Sequence, residues 1–292
     1  FGVIPRLITL MHAMAKQYLS DLSLAPFTFL MAIVILVCSR KRQKLIPLLG
    51  LLTPILLFCI IALVYFGLMQ GSSFQGIVPL PRDSFMQGLI GGYQTMDLIA
   101  AFIFATVIMP RFQTASGRTR LPAYGMSFAK QMVPPSIIAA SLLFLAYIGL
   151  CLISSFHGST LDSSCPSELL LSAIATKLLG PAGACIAAVA VIVACLTTAI
   201  TLSVTFAEYV QSQTKINTSL ALIGTLIITT LVANLGFEGI VTFLSPILQI
   251  IYPGLIVLTI LNFLHRVYGV NVLKGPVFVS FVCSALFYFF KK

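Results

Sequence analysis

The sequence predicts an all-α protein, a polytopic bundle of membrane-spanning helices, and three observations carry that expectation. Of its 292 residues 59% are hydrophobic and 8% charged, whereas soluble domains run at about 45–50% and 25%. The mean hydropathy is +1.07. Residues 51–68 and 216–232 are apolar on every face, unlike barrel strands, whose polarity alternates over stretches of about ten residues. Lipid offers the backbone no hydrogen-bond partners, so only helices or closed barrels span it. The unbroken runs select helices.

A crossing needs about 20 apolar residues at a rise of about 1.5 Å each. On that measure spans fall at 2–20, 24–38, 46–69, 85–109, 132–154, 183–207, 216–234, 240–264 and 275–290. The first is amphipathic and the second short, and 166–180 reads as a separate helix along the outer surface. Lys and Arg concentrate in cytoplasmic loops. With Arg40, Lys41, Arg42 and Lys44 inside, alternation also puts Arg111, Arg118, Arg120, Lys130, Lys215, Arg266 and Lys274 inside, leaving Lys16, Arg82 and Lys177 outside. The span 85–109 therefore runs from outside to inside.

The formal net charge is +10, but the basic residues sit at span ends with no aromatic-basic groove pattern, so the charge reports topology and excludes a nucleic-acid partner. The seven cysteines (Cys38, Cys59, Cys151, Cys165, Cys185, Cys195, Cys283) are scattered, mostly inside spans, with no CxxC pair. They read as packing residues, neither metal ligands nor a disulfide framework. The chain opens on Phe1 inside an apolar segment, and the expectation is that it begins partway through a longer protein.

Chemistry concentrates in the run Gly88-Leu89-Ile90-Gly91-Gly92-Tyr93-Gln94-Thr95-Met96-Asp97. A helix-interior Gly costs about 1 kcal/mol relative to Ala, and an acid near mid-membrane about 2.5–3.5 kcal/mol. Both penalties make sense at a broken helix. An unwound turn exposes carbonyls to a cation and amides to a carboxylate, with half-helix ends supplying partial charges of the right sign. The competing reading is that the glycines allow close helix packing and Asp97 pairs with a buried cation or hydroxyl.

A second cluster is Thr197-Thr198-Ala199-Ile200-Thr201-Leu202-Ser203-Val204-Thr205, followed by Glu208. Hydroxyl oxygens suit a hard cation such as Na⁺, although membrane hydroxyls also serve as hydrogen-bonding glue. Thr197 and Thr198 are the pair singled out. His12 reads as a structural residue and Arg6 as one that snorkels to the inner interface. Pro246 and Pro253 read as kinks in the span 240–264, with Gln249 between them. Enzyme templates fail: the sequence has no GKS/T phosphate loop, HExxH or GxSxG, and only three histidines.

The stretch Gly91–Asp97 resembles the G-Y-x-T-M-D segment of the bacterial branched-chain amino acid carriers, the LIVCS symporters. Phe1-Gly2-Val3-Ile4-Pro5-Arg6, Ala194–Ile200 and Tyr252-Pro253 resemble other segments of that family in the same order. The resemblance implies symport of Leu, Ile and Val with Na⁺ or H⁺, without another cofactor, across the bacterial inner membrane. It further implies the leucine-transporter-like five-plus-five inverted-repeat fold of the amino acid–polyamine–organocation superfamily, lacking here its first two helices. Residues 1–292 would form one transporter domain: 1–70 the remainder of the first repeat, 84–264 the second repeat, and 265–292 a C-terminal helix. By the same comparison Gly91, Gly92, Tyr93, Thr95 and Asp97 are expected to hold substrate at the unwound turn, and Thr197 and Thr198 to hold Na⁺. Without its first two helices the chain is expected to bind branched-chain amino acids far more weakly than its full-length parent and not to transport them. Partners are the amino acid and the lipid bilayer, with oligomeric state left open. A structural membrane subunit, a channel and a carrier for a different amino acid remain as rivals.

Overall fold

A computed structural model describes residues 2–19, 21–39, 42–69, 84–105, 126–157, 167–214, 216–268 and 274–290. The loop before Ser84, Cys165 and the basic residues Arg40, Lys41, Arg82, Arg111, Arg118, Arg120 and Lys215 lie outside the described residues. Described residues contain helices and no strand. In chain order the helices are α1 (Val3–Lys16), α2 (Leu24–Ser39), α3 (Arg42–Met69), α4 (Ser84–Gln94), α5 (97–105), α6 (Met126–His157), α7 (Leu170–Thr214), α8 (Thr218–Ala233), α9 (Gly236–Tyr268) and α10 (Lys274–Phe290). A short 3-10 turn, Ser167–Leu169, precedes α7.

Each expected span has its helix, and the helices are interrupted at two places. Inside α7, Gly180 adopts φ 72° and ψ −177°, a region essentially reserved for glycine. Pro181 follows, its fixed φ and missing amide suited to a first helical position. The surface helix expected at 166–180 and the span expected at 183–207 therefore meet at this corner. The second division falls between α4 and α5. Four segments, Ser84–Ala105, Val133–Phe156, Leu170–Thr214 and Gly236–His265, are long and apolar enough to cross a membrane, and shorter apolar helices accompany them. The protein is thus a multi-pass membrane protein.

The long helix α7 is the hub, packing on α1, α2, α3 and α8. Beyond its corner it contributes Cys195, Ala199, Ile200 and Leu202 to a core shared with Ile4, Ile8 and Met11 of α1. Before the corner, Ile174, Ala175 and Leu178 pack with Leu63 of α3 and Ile153 of α6. A third cluster joins Met96 to Leu248 and Tyr252 of α9. Outward, Phe58, Phe144 and Phe290 are 71%, 64% and 88% exposed; apolar exposure on this scale fits lipid, not water. The described cysteines are free.

Helices α3 and α6 approach through Gly149, where a Cβ would stand 2.6 Å from Val64 Cγ2. Val64 is branched at Cβ and stiff, so Gly149→Ala should destabilise the fold by roughly 1–3 kcal/mol through overpacking. A Cβ at Gly88 meets nothing within 4 Å, so Gly88→Ala is the control. Thermal unfolding in detergent should rank Gly149→Ala below the wild type and Gly88→Ala at or above it.

Candidate functional site

The helical ladder that starts at Ser84 ends at Gln94 and resumes at Asp97. The chain turns between them through Met96, the described non-glycine residue with positive φ, 60°. A positive φ at an unbranched non-glycine residue is uncommon and marks a site held by its surroundings. Here Met96 is 4% exposed against Leu248 and Tyr252. The turn is closed by Thr95 N–H to the Gly92 carbonyl at 3.3 Å and Met96 N–H to the Tyr93 carbonyl at 3.2 Å. Ala100 N–H then reaches the Met96 carbonyl at 3.0 Å and restarts the ladder.

The break therefore falls inside the stretch expected to unwind, but at Thr95 and Met96. Gly91, Gly92 and Tyr93, expected in the unwound part, are helical. This corrects the expectation, and the physical reason is that the strain concentrates at one buried residue, Met96, instead of spreading over the glycines. Nor do the glycines permit close packing: a Cβ at Gly91 or Gly92 meets nothing within 4 Å. Both are exposed, and they leave a bare strip of helix backbone beside the turn.

Breaking a helix creates a partial negative end and a partial positive end, and each has a side chain of opposite charge beside it. At the carboxyl end of α4, Arg6 of α1 donates from Nη1 to the Gln94 carbonyl. Its guanidinium also lies 5.0 Å from the Phe237 ring centroid. At the amino end of α5 stands Asp97, which accepts from the Tyr147 hydroxyl of α6. Three further groups complete the wall. Gln94 Nε2 donates to Ser245 Oγ at 3.3 Å, and Gln249 Nε2 donates to the same oxygen at 3.1 Å. The Tyr93 and Tyr252 rings lie 5.0 Å apart, tilted by 30°. The buried Tyr252 hydroxyl has no hydrogen-bond partner among the described residues. Thr95 Oγ1 donates to the Gly92 carbonyl at 2.8 Å and is exposed at the turn.

Beside this turn a cleft of about 420 Å³ opens between α4, α9 and α10, lined by Leu89, Ile90, Tyr93, Gln249 and Phe287 among others. Its size lies in the range of small-molecule sites, and its apolar walls with few polar groups match their usual character.

Thr197 and Thr198 stand elsewhere. Thr197 is buried in α7, between core residues Cys195 and Ala199, and its hydroxyl donates to the Val193 and Ala194 carbonyls at 3.0 and 2.9 Å. Thr198 is half-buried one position on. Among the described residues no hydrogen bond joins either to the 91–97 stretch, so the two groups of site residues are not brought together. Thr201, Ser203 and Thr205 likewise donate back to their own helix, at 2.9, 2.7 and 2.8 Å, the structural use of hydroxyls in apolar helices.

Arg6, Tyr147 and Ser245 are the residues that the reading of the sequence undervalued. Arg6 turns inward to Gln94 and Phe237 instead of snorkelling to the interface. An intramembrane charge is a site hypothesis by default, and that signal was present at Arg6. Tyr147 carried no such signal, because one Tyr in an apolar run looks like any membrane tyrosine. His12 is structural, as expected: its Nε2 lies 2.9 Å from the Leu22 carbonyl and its ring 5.3 Å from that of Phe27. Helix α9 continues through Pro246 and Pro253.

A family model described as branched-chain amino acid transport protein matches residues 1–291. Among curated proteins, a provisionally named branched-chain amino acid carrier protein of Staphylococcus aureus (strain USA300) is 28% identical over 283 residues, 91% of this chain and 62% of the relative. A counterpart in Staphylococcus epidermidis is 28% identical over 268 residues, 86% of this chain and 58% of the relative. The chain thus spans less than two thirds of the length of these curated relatives. No solved structure matches.

Proposed function

The chain belongs to the branched-chain amino acid transport protein family, a family of transporters and not of enzymes, and from that membership we propose that the full-length protein carries out secondary active symport of leucine, isoleucine and valine by alternating access. The observation that carries the reading is the interrupted helix at Thr95 and Met96, with a charge of the complementary sign at each broken end. A carrier needs a site near mid-membrane where backbone groups are exposed without lipid contact, and broken helices supply it. The fold class that accompanies this reading is the five-plus-five inverted repeat, with 84–264 as its second repeat, in a bacterial inner membrane.

In this reading Gly91 and Gly92 give the substrate's polar groups close approach to the helix backbone. Thr95 and the α5 amides meet its carboxylate, Asp97 faces its ammonium group, and Tyr93 with the adjoining cleft takes the aliphatic side chain. One methylene in an apolar pocket is worth only about 1–3 kcal/mol, so Leu, Ile and Val should compete within about one to two orders of magnitude of one another.

Na⁺ or H⁺ supplies the driving gradient. Thr197 and Thr198 are the Na⁺ ligands of this proposal: the Thr197 proton is engaged by carbonyls of its own helix, which leaves the lone pairs of its oxygen to face a cation. Proteoliposomes containing the full-length protein should accumulate labelled leucine under an imposed inward ion gradient, with isoleucine and valine as competitors. Absence of uptake under both Na⁺ and H⁺ gradients would refute symport. Thr197→Val should raise the Na⁺ concentration for half-maximal uptake about tenfold, the loss of one ligand worth about 1.5 kcal/mol. An unchanged Na⁺ dependence would remove Thr197 from the ion site.

A further inference from the structure

A second cavity, of about 470 Å³, lies on the face that the Lys and Arg distribution assigns to the exterior, between α1, the turn Ser167–Leu169 and the start of α9. Its lining brings together charges of both signs: Lys16 at the end of α1, and Glu168 from the 3-10 turn. Glu168 Oε2 is buried and has no hydrogen-bond partner among the described residues. A buried carboxylate oxygen left unpaired is costly unless something fills the place beside it. The same cavity is walled by Leu24, Leu169 and Phe237, which offer apolar surface in the same lining. Its polar frame is fixed, since Ser172 Oγ donates to Gln17 Oε1 at 2.5 Å and His12 is held at the Leu22 carbonyl.

The position of the cavity matters as much as its lining. Phe237, which forms part of its wall, carries the Arg6 guanidinium over its ring. Arg6 in turn donates to the Gln94 carbonyl at the break in α4–α5. One aromatic ring and one guanidinium thus link the wall of the outer cavity to the broken helix.

We propose that this cavity is an outer loading site for a zwitterionic amino acid, which it holds before the ligand passes Phe237 and Arg6 to the broken helix. Glu168 receives the ammonium group, Lys16 the carboxylate, and Leu24, Leu169 and Phe237 the aliphatic side chain. A single-charge ligand would leave one of the two protein charges without its partner, so the lining selects for a molecule carrying both signs. The proposal rests on the amino acid transport reading for the identity of the ligand.

The test pairs each charge of the ligand with a residue. Inhibition of labelled leucine uptake is measured for leucinamide, which has only the ammonium group, and for 4-methylpentanoate, which has only the carboxylate. Glu168→Gln should raise the KM for external leucine about tenfold and weaken leucinamide inhibition about as much, with 4-methylpentanoate unaffected. Lys16→Met should raise the KM similarly and show the reciprocal pattern. A KM unchanged in both variants would overturn the loading site while transport stands. Equal weakening of all three compounds by either variant would also overturn it, because that is the signature of a distorted fold. If the wild-type protein takes up no leucine, the transport reading falls, and equilibrium binding of the same three compounds to the purified protein then decides the cavity. The residue-matched pattern would sustain it, and its absence would end it.

Discussion

Asp97→Asn should lower the initial rate of leucine uptake by about one to two orders of magnitude while the protein still folds and reaches the membrane. The substitution keeps the size of the side chain and its capacity to accept at the first turn of α5, where Asn serves nearly as well as Asp. What it removes is the charge, and with it a charge-assisted hydrogen bond from Tyr147 worth about 1.5–3 kcal/mol. By the proposed geometry it also removes the group that faces the substrate ammonium. Tyr147→Phe isolates the first of these effects and should cost less, about tenfold. Wild-type uptake by Asp97→Asn would show that the carboxylate has only a structural use.

Arg6→Met should be nearly as damaging, for a reason located at the other broken end. The Gln94 carbonyl sits at the negative end of α4 and takes its hydrogen bond from Arg6, whose cation also rests on Phe237. Methionine fills comparable apolar space and leaves that carbonyl unanswered, a loss of about 1.5–3 kcal/mol and hence roughly tenfold to a hundredfold in uptake. Arg6→Lys restores the charge without the planar fork and should recover part of the activity. If Arg6 acted only through packing, methionine would be the better replacement, and that order of the two variants would contradict the assignment.

Most of the architecture was legible because it follows from solvent physics. Apolar length located the helices, and composition alone pointed to a membrane protein. The corner at Gly180-Pro181 was visible as a gap between a surface helix and a span. The break in 85–109 was legible too, since Gly, Gln, Thr and Asp within ten residues conflict with a buried apolar helix. Its position was less so. Glycine marks where a chain can bend cheaply, whereas the positive φ at Met96 is fixed by burial against Leu248 and Tyr252, a long-range contact that local pattern does not encode. The partners Arg6, Tyr147 and Ser245 were hidden for the same reason. Each lies about 50 residues or more from the break in sequence and reaches it only through helix packing.

The central claim is that the turn around Thr95 is where the substrate sits, and protection of a cysteine placed there tests it most directly. Thr95 is exposed at the break, so Thr95→Cys, in a background with the seven native cysteines replaced, should react readily with a small thiol reagent. A cysteine in place of Asn234, which is exposed in the turn between α8 and α9, serves as the reference. Saturating leucine should slow modification at position 95 severalfold or more and leave position 234 unchanged, with glycine far less protective than leucine. Equal reactivity at position 95 with and without leucine, in a protein that still transports leucine, would place the substrate elsewhere and contradict the account.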